Sequence, residues 1–425
     1  MKAIIVGGGI GGLTTALMLH ARGIDCQIFE AAPEVKELGV GINVLPHAIK
    51  ELAEIGLLPA LDAIGIRTRE LIYSTRSGQE IWREPRGVDA GFDVPQFSIH
   101  RGHLQKMLYN AVLERLGSDA IVTAQPCSGY SQSESCATAH FAEGASIKAA
   151  SGDVLIAADG IHSAIRKQMF PAEPGLKWNG VMMWRGAVER EPFLDGRTMI
   201  VAGGFTYKLV LYPIARGSQP GKVLTNWVVT YRPGAEGDVA PKREDWNRRG
   251  THEELMPHVE KFGIDPAIID LAALVRSTET FFEYPMCDRD PLPWWTDGRV
   301  ALIGDAAHPM YPVGSNGASQ AIIDARTLAD CLASAEHGRA ALAAYQAIRL
   351  PATAEIVRLN RKGGPEGVID EVERRAPEGC DDLDAVITFT EREAIVRGYA
   401  AKAGFTQAQV NQTAAPVQYP HNAAI

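Results

Sequence analysis

The chain has 425 residues, 46% hydrophobic and 22% charged, with a formal charge of −9. At roughly one domain per 150 residues, that length predicts two or three domains and a core large enough to enclose a cofactor. The acidic balance, with no dense basic block, argues against nucleic acid as a partner, and no apolar run approaches the ~20 residues of a membrane span.

The first apolar run is a short strand ending in glycines, which fits no secretory signal. The cysteines Cys26, Cys127, Cys136, Cys287, Cys331 and Cys380 are scattered, with no C-x-x-C pair. There is no His cluster at metal-ligand spacing either. We expect a reduced, cytoplasmic chain without a metal site.

In chain order, Lys2 to Val6 reads as a buried strand, Gly7 to Gly12 as a turn, and Ile10 to Arg22 as a helix stopped by Gly23. Cys26 to Phe29 reads as a second strand, closed by Glu30. This β-α-β unit predicts a parallel sheet. Pro46 to Leu58 and Gly102 to Leu116 carry helical periodicity. Val154 to Ala158 is another buried strand, stopped by Asp159-Gly160. From about Val181 to Tyr231 short β-rich runs alternate, among them Lys208 to Tyr212 and Val223 to Thr230, and predict a mixed or antiparallel sheet. Val300 to Ile303 returns as a strand before Gly304-Asp305, and Gly317 to Ala333 as a long helix. After Pro351 the chain reads as helical and charged, and a loosely held tail is expected from about Gln407.

The glycines of Gly7-Gly8-Gly9-Ile10-Gly11-Gly12 have separate tasks. Gly7 permits a tight turn off the strand. Gly9 lets a pyrophosphate approach the helix N-terminus, where free N–H groups and the dipole favour an anion. Gly12 allows close helix–strand packing. Glu30, at the end of the second strand, is placed to accept hydrogen bonds from a ribose diol. This pattern says "dinucleotide" without choosing FAD or NAD.

Two further strand-end turns extend it. Asp159-Gly160-Ile161-His162-Ser163-Ala164-Ile165-Arg166 and Gly304-Asp305-Ala306-Ala307-His308-Pro309 each place an acid at a strand's C-terminal end. Such an acid can bond a polyol. Three strand-end sites suit a long, extended cofactor.

GGGIGG, LGVGIN (Leu38 to Asn43), HRG (His100 to Gly102), ADGIHSAIR and GDAAHPMYPVGSNGASQAIIDA occur here in order. The set resembles the class A flavin monooxygenases, a group that includes aromatic-acid hydroxylases. MWRG (Met183 to Gly186), FLDGRTMIVA (Phe193 to Ala202) and YPMCDRDPLPWW (Tyr284 to Trp295) add a closer likeness to the phenazine hydroxylases. After about Arg361 the likeness stops.

The resemblance implies an α/β fold. A discontinuous Rossmann-like FAD-binding domain would span 1–75, 100–180 and 285–350. A mixed β-sheet substrate domain would span 76–99 and 181–284, and a helical C-terminal region 351–425. It implies bound FAD, with NAD(P)H and O2 as co-substrates. Oxygen would pass from a flavin C4a-hydroperoxide to a small aromatic or heteroaromatic substrate, for which the phenazine likeness favours a polycyclic or carboxylated ring; the alternatives are an FAD-dependent halogenase or reductase on the same scaffold, or a non-catalytic flavin-binding redox module. The enzyme would act as a monomer or homodimer.

By the same resemblance, Gly7, Gly9, Gly12, Leu13 and Glu30 match the AMP-binding loop, and Val40 and Gly41 pass near the flavin. Arg101 contacts the cofactor. Asp159 and Gly160 serve FAD and nicotinamide use, and Gly304 and Asp305 bond the ribityl chain. Pro312, Gly314, Gly317 and Ala318 form the loop beside the flavin ring.

Candidates on the substrate side are Arg185, Tyr212 and Tyr311. Arg185 can hold a carboxylate or make an ordinary ion pair. Trp184 can stack on a ring or fill the core. Tyr212 can bond a phenol or be a core tyrosine, and Tyr311 lies in the flavin loop. His308, His162 and Ser163 read as holding loop geometry, Trp294 and Trp295 as packing residues, and Glu84, Arg86 and Asp89 as a solvated loop.

Overall fold

The run Lys2–Val6, apolar after its first residue, lies at the centre of a sheet between the apolar strand Val154–Ala157 and the strand Asp25–Phe29, whose last two residues are buried. A computed structural model describes residues 1–34, 40–142, 144–242, 245 and 248–412. Leu38 and Gly39 of the LGVGIN segment, and residues 413–425 of the expected tail, lie outside the described residues.

The central sheet is six-stranded, in the order Thr296–Asp297, Val300–Leu302, Val154–Ala157, Lys2–Val6, Asp25–Phe29, Ile121–Val122. All its pairings are parallel except the short one between Thr296–Asp297 and Val300–Leu302. Helices Ile10–His20, Arg101–Leu116 and Gly317–Ser334 pack with it into the largest apolar core. Strands buried on both faces carry continuous apolar runs, as Ala3 to Val6, Val154–Ala157 and Val300–Leu302 do.

A seven-stranded sheet lies beside it, in the order Phe281–Asp288, Lys177–Arg190, Val223–Tyr231, Tyr207–Arg216, Thr198–Ala202, Glu70–Ser74, Glu80–Pro85. Its two faces have different partners, because successive side chains alternate across a strand. Met182 and Trp184 pack with Trp227, Leu209, Leu211 and the helices His252–Val259 and Leu271–Arg276. Val181, Met183 and Arg185 stand on the opposite face, beside Tyr284 and Val228. A small sheet of Gly41–Val44, Phe97–His100 and Ile66–Arg67 bridges the two larger ones.

Two elements cross the expected segment limits at 75 and 350. Glu70–Ser74 already belongs to the seven-stranded sheet, paired in parallel with Thr198–Ala202. Helix Gly338–Arg361 runs through Pro351 without a break. The expected helix from Pro46 to Leu58 ends at Glu54, and Gly56, at a φ of 77°, turns the chain into a second helix, Leu58–Ile64. The start of the expected tail is an ordered helix, Gln407–Asn411, with a Thr406/Gln409 capping box. Lys50 Nζ donates to Val410 O at 2.7 Å and Gln407 Nε2 to Gly91 O at 2.7 Å, so this helix is tied to two distant segments.

Candidate active site

The three strand-end turns lie side by side, since Lys2–Val6, Val154–Ala157 and Val300–Leu302 are adjacent strands. Gly7 has a φ of 106°, and a Cβ there would meet Ala158 O at 2.3 Å. A Cβ on Gly12 would meet Gly7 O at 2.0 Å. Both glycines are therefore required by the protein's own packing. Gly9 is different: a Cβ there meets nothing within 4 Å, and the same holds at Gly160 and Gly317. These three open positions are a cradle for a ligand that approaches the backbone.

Two helix N-termini face this region. The helix at Ile10 and the helix at Gly317 both begin without a side-chain cap and without an acid in the first turn. Their N–H groups suit a pyrophosphate and an anionic ring edge. Gly11 and Ala321 bring the two starts together, a Cβ on Gly11 lying 3.6 Å from that of Ala321. Leu13 is fully buried, packs into the core, and gives its N–H to Gly9 O.

The acids behave differently from one another. Glu30 accepts N–H bonds from Gly8 at 2.5 Å and Ala32 at 2.8 Å, which holds the glycine loop and leaves lone pairs for a diol. Asp159 Oδ2 takes the Ala164 N–H at 2.9 Å, while its Oδ1 is buried without a partner among the described residues. Burial raises the Asp159 pKa, against the hydrogen bonds that lower it. Asp305 is exposed on the Gly304 turn. An orphaned carboxylate oxygen, an exposed acid and the three open glycines fit the polyol and phosphates of FAD.

Residues that the motifs contain but that were given no role hold this turn from behind. Asp324 is fully buried and accepts from Gly304 N at 3.0 Å, Arg349 Nε at 2.7 Å and His308 Nε2 at 2.6 Å. Burial alone would raise its pKa, but the charges of His308 and Arg349 outweigh that and bring it to about 2. Arg166, also buried, donates to the carbonyls of Ala306 and Ala307 at 2.9 Å each. Ser163 caps the Ala164–Met169 helix through the Arg166 N–H. His308 and Ser163 are thus loop-holding residues.

Toward the seven-stranded sheet, Arg101 is exposed yet closely surrounded by protein, as expected for a residue lining a deep crevice. Its pKa is lowered by burial and by the charge of Arg185, and Asp305 opposes the shift. Its N–H donates to Val40 O at 3.0 Å. Gly41 is pressed against the sheet: its N–H donates to Asn226 Oδ1 at 2.8 Å, and a Cβ would meet Tyr212 Cε2 at 2.6 Å.

Arg185 lies over the Tyr284 ring, 4.9 Å from its centroid. Its guanidinium has no carboxylate partner among the described residues, and its buried Nε has no hydrogen bond. Tyr212 is buried, with its pKa raised by burial against the charge of Arg185, so its phenol is a donor at neutral pH. Tyr311 is buried among Val181, Met183, Met286 and Val313, and its hydroxyl points to Lys177 O at 3.4 Å. Trp184 fills the opposite face, bonded to Glu283 and stacked on His258. Trp295 is a core residue, and Trp294 packs on Phe170.

The flavin-loop candidates divide in the same way. Pro312 is exposed, Gly314 has a φ of 64°, and Gly317 and Ala318 open the helix. Ser315, at a φ of 58°, is a strained non-glycine residue in this loop. A cavity of about 430 Å³ reaches Gly314 and Ser315. Its walls include Tyr73, Val201, Val396 and Arg86, so Arg86 is not on a solvated loop. Arg86 pairs with Glu84 at 2.5 Å.

A parallel sheet with three strand-end turns around one open cradle, flanked by a second sheet whose Arg185 has no carboxylate partner among the described residues, fits an FAD-dependent oxidoreductase. The chain belongs to the FAD binding domain family, which matches residues 1–360. It is 44% identical over 366 residues to phenazine 1,6-dicarboxylic acid hydroxylase PhzS of Lysobacter antibioticus, covering 84% of this chain and 88% of that protein. It is 30% identical to 3-amino-4-hydroxybenzoate 2-monooxygenase of Streptomyces cremeus, covering 92% of each. The structure of Klebsiella pneumoniae HpxO complexed with FAD and uric acid superposes with a TM-score of 0.73 at 26% identity, over 95% of this chain and 96% of that one. The protein is an FAD-dependent monooxygenase of the aromatic-hydroxylase group, with NAD(P)H and O2 as co-substrates.

Proposed function

We propose that this enzyme hydroxylates a carboxylated aromatic or heteroaromatic ring, phenazine-like in size, whose carboxylate is held by Arg185. The observation that carries the reading is the Arg185 guanidinium, on the inner face of the sheet and without a carboxylate partner among the described residues. A partly buried cation without an anion is costly, and a substrate carboxylate removes that cost. The relatives point the same way: the names of both, phenazine 1,6-dicarboxylic acid hydroxylase and 3-amino-4-hydroxybenzoate 2-monooxygenase, specify acids.

Bound FAD supplies hydride acceptance from NAD(P)H and the activation of O2. The chain supplies position. In this reading Gly9 and the helix start at Ile10 take the pyrophosphate, and Glu30 the ribose. Asp159 and Asp305 take the polyol, and the loop from Pro312 to Ala318 borders the ring with Val40 and Gly41. Arg101 lies between the two sheets and meets the cofactor near Asp305. Tyr212 offers a hydrogen bond to a ring substituent. Val181, Met183, Tyr284, Tyr311 and Val313 keep water from the reacting ring. The six-stranded unit would then be the FAD domain and the seven-stranded sheet the substrate domain. We assign a cytoplasmic location and a monomer or homodimer; no helix among the described residues is long and apolar enough to cross a membrane.

The test is NAD(P)H oxidation by the FAD-loaded enzyme with aromatic acids and their neutral amides. Acids should stimulate oxidation far more than amides. Arg185→Ala should raise KM for the acid about 10- to 100-fold, the loss of one charge-assisted hydrogen bond. Equal stimulation by acid and amide, or an unchanged KM in the variant, contradicts the reading.

A further inference from the structure

We infer that the C-terminal segment beyond the family match sets the geometry of the flavin-ring loop, with Glu366 and Tyr399 as its positioning residues. The family match ends at residue 360, and both residues lie past it. The inference rests on the reading that the loop from Tyr311 to Gly317 borders the flavin ring.

Three side chains from this segment and its border grip the loop from behind. Asn360 Nδ2 donates to Tyr311 O at 3.1 Å. Tyr399 Oη accepts from Asn316 Nδ2 at 2.7 Å and donates to Asn360 Oδ1 at 2.7 Å. Glu366 Oε1 accepts the Gly314 N–H at 3.2 Å, while Oε2 pairs with Lys208 Nζ. Glu366, Tyr399, Asn316 and Asn360 are all buried, so these bonds are shielded from water.

The loop needs such a grip. Gly314 and Ser315 both hold positive φ, at 64° and 58°, and only Gly314 does so without a side-chain clash. A Cβ on Gly314 would meet Tyr399 Oη at 2.6 Å, so the helix Phe389–Lys402 packs directly on the loop backbone. A strained loop persists only where its surroundings over-determine it. Here those surroundings come largely from residues 360–399.

Glu366 does more than brace. Lys208 stands on the strand Tyr207–Arg216, which also carries Tyr212 on the substrate side. One carboxylate therefore joins the substrate sheet to the loop backbone. The same segment grips the preceding hairpin: Asp370 Oδ1 accepts the Phe205 N–H at 2.6 Å and Glu373 Oε2 the Gly204 N–H at 3.3 Å.

The experiment compares Glu366→Gln and Tyr399→Phe with the full-length wild type. The measurements are FAD affinity, the flavin absorption spectrum, and hydrogen peroxide released per NAD(P)H consumed. Arg375→Ala is the control; it breaks exposed ion pairs to Glu371 and Glu391 in the same segment without touching the loop. Both test variants should bind FAD about tenfold more weakly, shift the flavin bands and release more peroxide, while the control keeps wild-type FAD affinity and spectrum. Tyr399→Phe preserves the ring packing and carries the test by itself if Glu366→Gln does not fold. Wild-type affinity and spectrum in Tyr399→Phe overturn the inference, as does an equal loss in Arg375→Ala. Wild type that binds FAD but oxidises no aromatic acid would fail the functional reading instead, and the spectrum would still test the brace.

Discussion

His47 illustrates how burial sets chemistry at a single residue. It is buried beside Gln320, whose Nε2 lies 3.3 Å from His47 Nε2, and its Nδ1 has no partner among the described residues. Burial first, and then the charge of Arg349, lower its pKa from 6.5 to about 3. The folded protein therefore binds fewer protons there than the unfolded chain. The stability this confers is complete above about pH 6.5 and is lost progressively as pH falls toward 3. His47→Gln, which cannot titrate, should remove that part of the acid sensitivity. Urea melts at pH 7 and pH 5 test it: between them the wild type should lose about 2 kcal/mol more than the variant, at up to ~1.4 kcal/mol per pH unit. Parallel losses in the two proteins would show that His47 does not carry the effect.

At the scale of elements, the glycine loop separates packing from binding. Gly12 has a carbonyl 2.0 Å from where its Cβ would be, and Gly9 has nothing within 4 Å. Gly12→Ala should unfold the β-α-β unit or sharply lower its melting temperature. Gly9→Ala should keep the melting temperature of the FAD-free protein and lose FAD affinity by tenfold or more, on the order of 1.4 kcal/mol. Melting curves with and without added FAD distinguish the two, and a Gly9→Ala variant that binds FAD normally would contradict the cradle.

These glycines were legible in the sequence because turn geometry and strand ends are local properties. So were the central strands, whose apolar runs mark burial on both faces. The β-rich stretch that carries Trp184 and Arg185 was legible too, but not which face the crevice occupies; that depends on the distant helices covering Trp184. Asp324, Arg166 and Glu366 had no local signal for their roles. Their partners lie 20 positions away for Gly304–Asp324, 140 for Arg166–Ala306 and 158 for Lys208–Glu366. The docked helix Gln407–Asn411 was hidden by a polar, Ala-rich composition, which its tertiary contacts override.

For the molecule as a whole, the two sheets and the C-terminal helices meet where the loop after Asp305 turns toward Gly317. The six-stranded sheet presents the turns that fit FAD, the seven-stranded sheet presents Arg185 and Tyr212, and the C-terminal segment grips the loop between them. We propose that these parts together insert oxygen into a carboxylated ring. The most direct test is a turnover with isotopically labelled O2, NAD(P)H and a phenazine carboxylic acid, read by product mass. The expected product is heavier by one labelled oxygen atom, with the label absent when labelled water replaces labelled O2. NAD(P)H consumption that yields only peroxide, or a product without the label, across the aromatic acids tested would contradict it.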